Sequence, residues 1–485
     1  MFLLFLPGLD LSKKKREFTP SAGAAPKHYR QIQDGDSPLL DRRYASRPTP
    51  VAAPIEIYHP VFAYFLGQCA RDDIDPPPEL VSHTMKFMYS VSEIATLENA
   101  RAATTRKALT DLLEYAVGQD VNPDKTSADH SVTYTRRVIP IGNALLVVVE
   151  EKSELGQGGE GCVQGALSYH VYWAQSTGDL KTSCICPSFI ISLAGPFMAI
   201  CGAIWTSDVI VQHLTDYIWM GRSGNIEQDH VLRVARIFYA LNRAIHRLAQ
   251  YYANLEPSLC NDERQRFFPL ATSYLDDNNK SVSFRYTAFL KEQDPSCLTF
   301  LATLEGNEKK VVVKFVERYG EKEHRLLASH GYAPQLLYYG NIWDETEHGS
   351  EEDEPFINPN AGCGSRRMVV MEYVEGEMLT DSSVPRSLVC KALYEVIGIL
   401  HQDQSVHGDV RSPNILLTEV DDDDDEGDVK ERIRVIDFDW AGQEGTVRYP
   451  YGLSEEIRWP EGVREHAFIL KEHDLKMIKA MEWVA

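Results

Sequence analysis

Residues 406–417 read VHGDVRSPNILL, and residues 433–442 read IRVIDFDWAG. The first stretch sets Asp409 five residues ahead of Asn414, and the second is an apolar strand pattern that leads into Asp437. Transfer of a phosphoryl group needs little covalent help from a protein. It needs an in-line acceptor and cations that offset phosphate charge. Mg²⁺ takes hard oxygen ligands, commonly one or two carboxylates with phosphate and water. Asp437 supplies such a carboxylate, and Asn414 a neutral amide oxygen for a second ion. Asp409 is then free to accept the hydrogen bond of an attacking hydroxyl, and Arg411 can hold positive charge near a γ-phosphate. His407 reads as a residue that braces the loop rather than as a base.

Matching pieces lie upstream. KKVVVKFV (309–316) is a buried-strand pattern with Lys314 near its far end, where an ammonium facing a cleft neutralises α- and β-phosphates. YGEKEHRLLASHGYAPQLL (319–337) reads as a helix running into a strand; Glu323, ahead of Glu321, is the expected partner of Lys314. RMVVMEYVEGE (367–377) reads as a strand and a hinge, where backbone groups of Glu372 and Val374 can bind adenine beside Met371.

Taken in order, VVVK, a helix glutamate, MEYVEG, HGDVRSPNIL and VIDFD resemble the eukaryotic protein-kinase fold. With VIDFDWAG (435–442), RYPYG (448–452), RWPEGV (458–463) and KEHDL (471–475), they resemble more narrowly the fungal-type protein kinases of mushroom-forming fungi. The resemblance implies ATP and Mg²⁺ as cofactors and gives Lys314, Glu323, Asp409, Asn414 and Asp437 the roles above. It also implies that Asp474 braces the catalytic loop. The expected fold is α+β: a β-rich lobe at 281–374 and a short α-rich lobe at 375–485, preceded by a separate α/β domain.

The chain departs from that pattern in four places. No glycine-rich loop precedes Lys314, and the turn expected there falls at 291–297. DFD replaces DFG, so Asp439 stands where a flexible glycine is usual; it restricts motion there and offers a second metal-facing carboxylate. HGD replaces HRD, which removes an arginine that reads phosphorylation. Only eleven residues follow Asp474, so the distal helices that dock protein substrates are expected to be missing. Three readings stay open: a kinase acting on a protein hydroxyl, a choline- or aminoglycoside-type small-molecule kinase, and a nucleotide-binding pseudokinase.

Ahead of this region, residues 1–53 read as a disordered segment, 54–255 as the α/β domain and 256–280 as a linker. Helical patterns fall near 79–116 and at 229–255, and strand patterns at 131–140 and 144–151. SFIISLAG and FMAICGAIW (188–195 and 197–205) suit two buried strands joined by a turn. Asp129, Glu150 and Lys152, with Gln164 and Tyr169 behind them, weakly resemble the metal-binding hairpin of restriction-endonuclease-like domains. The plainer reading is a solvated strand end in a regulatory or scaffold domain.

Charge is unevenly spread within the net −22. Residues 1–290 carry 28 Lys and Arg against 31 Asp and Glu, whereas 291–485 carry 21 against 40. Acidic runs at 344–354 and 421–428 read as solvated loops, and the acidic C-terminal half disfavours nucleic acid as a partner. The nine cysteines are scattered, with no CxxC pair and no Cys/His cluster at zinc spacing, as in an intracellular protein with reduced thiols, cytoplasmic or nuclear. The apolar start MFLLFLPGL is too short to span a bilayer. Its positive charge, at 13–16, follows rather than precedes it, the wrong order for a signal peptide. No membrane partner is expected.

Overall fold

VVVE (147–150) and FIIS (189–192) carry apolar side chains at nearly every position, so the strands they form need cover on both faces. The computed structural model describes residues 17–43, 46, 51–94, 102–177, 179–221, 228–256, 266–290, 296–343, 366–419 and 429–482. Helices and sheets are mixed along it, an α+β architecture in two units that divide near residue 271. The acidic runs at 344–354 and 421–428 and most of the 291–297 turn lie outside the described residues.

The first unit begins with helices α1 (Pro20–Gly23), α2 (Pro26–Asp34), α3 (Ile55–Tyr58), α4 (Pro60–Cys69), α5 (Pro78–Val91) and α6 (Ala102–Leu113). Strands β1 (His130–Arg136) and β2 (Gly142–Lys152) form an antiparallel hairpin. Helix α7 (Gly161–Gln175), followed by the short α8 (Leu180–Ser183), then crosses to β3 (Ser188–Ala194), which lies parallel to β2. Gly195 and Pro196 turn the chain into β4 (Phe197–Trp205), antiparallel to β3, as the sequence suggests. Strands β5 (Val209–His213) and β6 (Ile218–Trp219) both pair with β4, and helix α9 (Gln228–Asn254) ends the unit. Alternation explains the apolar runs. Phe189 faces α4, where it meets Phe62 and Phe65 edge-on, whereas Ile190 and Glu150 face α7.

Two expectations for this region change. Residues 17–43 are ordered: Tyr29, Ile32 and Leu39 are buried, Gln33 exchanges hydrogen bonds with Leu39, and the Leu40 amide donates to Val209 at 2.9 Å. A few well-spaced apolar side chains suffice because the sheet already supplies the surface they cover. The segment 256–280 is not all linker. Phe267 and Phe268 are buried in the first unit, and β7 (Ser273–Leu275) already belongs to the second.

In the second unit, β7 is followed by β8 (Ser281–Phe289), β9 (Thr299–Leu304) and β10 (Lys310–Val316), then helix α10 (Glu321–Ser329), β11 (Leu336–Asn341) and β12 (Arg367–Glu372). They form one antiparallel sheet in the order β11-β12-β10-β9-β8-β7. Beyond it come β13 (Glu377–Met378), α11 (Arg386–Gln402), β14 (Ser405–Val406), β15 (Ile415–Leu417), α12 (Val429–Arg432), β16 (Ile433–Val435), β17 (Gly442–Gln443) and α13 (Lys471–Met481). Leu393, Val396, Leu400, Met477 and Ile478 centre the core shared by α11 and α13. Among the described residues no helix is long and apolar enough to cross a membrane.

Candidate functional site

Strand β10 buries Val311, Val313 and Phe315 on one face, and its pleat puts Lys314 on the other. There the Lys314 ammonium donates to Asp437 Oδ1 at 2.5 Å and to Asp439 Oδ1 at 2.6 Å. The Lys314 side chain is 14% exposed, while Asp437 and Asp439 keep 40% and 31% of theirs. Burial pushes the Asp437 carboxyl up, but the Lys314 charge and hydrogen bond outweigh it and hold the group below its ordinary range. Asp439 goes the other way, to about 6, through burial first and the neighbouring Asp437 charge next, against the pull of Lys314. Lys314 is raised because the two carboxylates outweigh its desolvation.

A strained turn brings Asp437 there. It leaves β16 with φ of 68° and ψ of 67°, a left-handed conformation that an aspartate tolerates better than most residues. Residues Phe438–Trp440 then make a single 3₁₀ turn. Phe438 is fully buried, stacked on the His324 ring at 4.5 Å with His407 edge-on at 5.1 Å. Such a side chain contributes about 1.5–3 kcal/mol of burial, enough to hold the turn. His324 receives Tyr319 Oη on Nδ1 at 2.7 Å and donates from Nε2 to the Pro334 carbonyl at 2.8 Å. Burial pushes it down to about 4, so it is neutral. The Gly320 amide, at the head of α10, donates to the Phe438 carbonyl at 2.9 Å. A Cβ on Gly320 would meet the Ala441 backbone at 2.9 Å.

The loop after β14 is fixed by Asp474 on α13. This carboxylate is fully buried and accepts the amides of His407 at 2.9 Å and Gly408 at 2.8 Å, with His401 Nε2 at 3.1 Å. Gly408 has φ of +83°, in the left-handed region that glycine adopts without strain. His407 Nδ1 accepts the Asp409 amide at 3.2 Å, which leaves its Nε2–H to donate to the Ile436 carbonyl, also at 3.2 Å. His407 is thus a brace, as its place in the sequence suggests. Asn414 Nδ2 donates to the Asp409 backbone carbonyl at 2.9 Å and carboxylate at 2.8 Å, and the Asn414 backbone carbonyl accepts the Ile436 amide at 3.0 Å. Asp409 and Asn414 are thereby tied to the strand end that presents Asp437.

Three sequence expectations are not met in this geometry. Glu323 makes no ion pair with Lys314; it is buried and accepts Ser405 Oγ at 2.9 Å. The α10 rotation that stacks His324 on Phe438 carries Glu323 toward β14, and Asp439 takes its place beside the lysine. Asp409 is not free, because Arg411 grips its carboxylate through Nε and Nη2, the latter at 2.7 Å. Arg411 is spent on that pair and on the Trp459 ring, 5.0 Å away, rather than standing clear as a phosphate ligand. Glu372 ends β12 as expected, but its amide donates to the Gln335 carbonyl at 2.9 Å and its side chain pairs with Lys309. Only its carbonyl can face a ligand. Val374 follows in the irregular stretch before β13, and Met371 is buried on the sheet.

In the first unit, Asp129 and Glu150 do come together. Asp129 Oδ2 accepts the Glu151 amide at 2.8 Å, while Glu150 is fully buried and accepts Gln164 Nε2 at 2.5 Å and Ser168 Oγ at 2.6 Å. Burial, then the Asp129 charge, pushes Glu150 up to about 8. Glu150 is therefore protonated at neutral pH and bonds to Asp129, an arrangement that ties β2 to α7. Lys152 is buried nearby on the same strand, and Tyr169 turns away to the Cys186 carbonyl at 2.9 Å. No third acid or imidazole joins Asp129 and Glu150 in a metal-holding group among the described residues. The expected solvated strand end is thus a buried one.

No family model matches the sequence, and no curated protein matches it. Among solved structures, the chain is similar to the kinase of Cydia pomonella granulovirus, with 18% identity, 41% of this chain and 69% of that chain covered, and a TM-score of 0.29. It is also similar to vaccinia related kinase 3, with 14% identity, 44% and 67% covered, and the same TM-score.

Proposed function

We propose that the second unit is an ATP- and Mg²⁺-dependent phosphotransferase of protein-kinase type that delivers the γ-phosphoryl group to a protein hydroxyl. The observation that carries this reading is the meeting of Lys314 from the sheet with Asp437 and Asp439 from the turn after β16, beside the Asp409–Asn414 loop. A β10 lysine, a loop with Asp and Asn five apart, and an Asp–Phe turn are the parts that position phosphates and cations in protein kinases. The sheet with α10, followed by the α11–α13 region, serves in this reading as the two lobes.

The donor set suits Mg²⁺. Asp437 and Asp439 are part-exposed carboxylates, and Asn414 commits its nitrogen to Asp409, leaving its oxygen for an ion. Bound Mg²⁺ would neutralise charge on the phosphates. Lys314 would pair with the α- and β-phosphate oxygens, and the Glu372 carbonyl and the Val374 backbone would hold the adenine edge. Asp409 accepts the hydrogen bond of the acceptor hydroxyl once Arg411 yields one carboxylate oxygen.

A second reading, a nucleotide-binding scaffold without turnover, is favoured by one observation: Asp409 is gripped by Arg411 and Asn414 together. Incubation of the full chain with labelled ATP and Mg²⁺, alone, with a generic protein acceptor and with small alcohols such as choline, separates the readings. Label in protein supports the kinase, and label only in a small alcohol supports the metabolite-kinase alternative. Nucleotide binding without transfer supports the scaffold. Asp409→Asn is expected to lower the transfer rate by roughly 10²–10⁴; an unchanged rate removes Asp409 from the chemistry.

A further inference from the structure

Cys201 on β4 and His213 on β5 are directly opposed in the antiparallel register, so their side chains leave the sheet on one face. Cys162, in the first turn of α7, reaches the same point. One ligand atom from each of the three lies within 4.8 Å of the others. A tetrahedral zinc with bonds of about 2.0–2.3 Å needs its sulfur and nitrogen ligands about 3.5–3.8 Å apart, so the cluster must contract by about 1.3 Å at most. We propose that Cys162, Cys201 and His213 form a three-ligand zinc site, with the fourth position open toward Tyr217.

Three features support the assignment. The ligands stand on a helix and two paired strands rather than on loops, which fixes their geometry before an ion arrives. Two thiolates and an imidazole are the donors zinc prefers, and two thiolates cancel the charge of the ion where Cys162 and Cys201 are buried. Binding releases the two thiol protons to solvent. An approach also exists. His213 is exposed, and Tyr217 Oη, 3.9 Å from Cys162 Sγ and hydrogen-bonded to Glu160, lines a cavity of about 560 Å³ with Tyr29, Arg43 and Glu160.

The test is metal content of the full chain purified with reductant and without chelator, before and after incubation with zinc and desalting. Wild type is expected to hold close to one zinc per chain and to show thiolate-to-metal charge-transfer absorption when cobalt replaces it. Cys201→Ser and His213→Ala are each expected to weaken zinc binding by more than the roughly 10–100-fold that follows loss of an outer-shell partner. His213 lies at the surface, so its variant keeps the fold, checked by circular dichroism. Zinc should raise the thermal midpoint of wild type and not of His213→Ala. Zinc-free wild type after incubation, undiminished zinc in both variants, or a Cys162–Cys201 disulfide in metal-free protein would each overturn the site.

Discussion

Asp474→Ala removes the carboxylate that accepts two backbone amides of the loop carrying Asp409. The carboxylate is fully buried, and its oxygens take the amides of His407 at 2.9 Å and Gly408 at 2.8 Å. A hydrogen bond to a charged group contributes about 1.5–3 kcal/mol, so two stranded amides cost about 3–6 kcal/mol. Domain stabilities run to ~5–15 kcal/mol, so the loss is a large share of the whole. Asp474→Asn keeps the volume and one accepting oxygen but turns an NH₂ toward a backbone N–H, and about half the penalty is expected. Urea unfolding followed by near-UV circular dichroism reads the effect. The transition of the second unit, marked as the one that added nucleotide shifts, should move to lower urea with Ala below Asn below wild type. An Asp474→Ala midpoint that coincides with wild type refutes the reasoning, because buried amides do not lose an acceptor without cost.

Lys314→Ala leaves Asp437 and Asp439 facing each other without a counter-charge; ATP affinity, read by calorimetry, should fall by roughly tenfold or more, the equivalent of one charged hydrogen bond. Gly408→Arg puts a side chain at a positive φ and sets a Cβ 3.0 Å from the Ile469 side chain, so it should lower stability by about 1–3 kcal/mol in the same urea assay. Glu150, raised to about 8, binds its proton more tightly folded than unfolded. The stability it contributes is complete below the unfolded value near 4.5 and is lost as pH rises through about 8. Glu150→Gln, which mimics the protonated form, should match wild type around pH 4 and melt increasingly higher than wild type as pH rises toward 9; parallel pH profiles would contradict the assignment.

What the sequence disclosed and what it hid divide along a physical line. Lys314, Asp409, Asn414, Asp437 and Asp474 were legible because each lies in a short motif whose backbone fixes the side chain: a strand pleat, a braced loop, a strand end, a helix start. The partner of Lys314 was not legible, since it depends on the rotation of α10. The contact that sets this rotation, His324 on Phe438, joins residues more than a hundred positions apart. Arg411 misled for a similar reason. Two positions from Asp409, its guanidinium reaches back to that carboxylate and out to Trp459, and only the folded chain places Trp459 there. Cys162, Cys201 and His213 follow no metal-ligand spacing, because the register of β4 with β5 and the crossover through α7 make the cluster. Residues 17–43 look polar by composition, yet Leu39 and Tyr29 are buried, and Leu40 pairs with β5, a strand formed by residues far along the chain.

In the proposed phosphotransferase, the aspartate at 439 changes what the site asks of a nucleotide: Asp439 holds Lys314 from the same turn as Asp437, while Glu323 accepts Ser405 Oγ. Above about pH 6 the trio carries two negative charges and one positive, and it favours cations over free phosphate. In the proposed phosphotransferase, triphosphate would have to arrive with its metal, because the exchange of Lys314 from carboxylate to phosphate would leave Asp437 and Asp439 bare. A protein working this way binds MgATP far better than ATP in chelator, and Asp439→Gly should narrow that gap by removing one of the two charges that the metal has to offset.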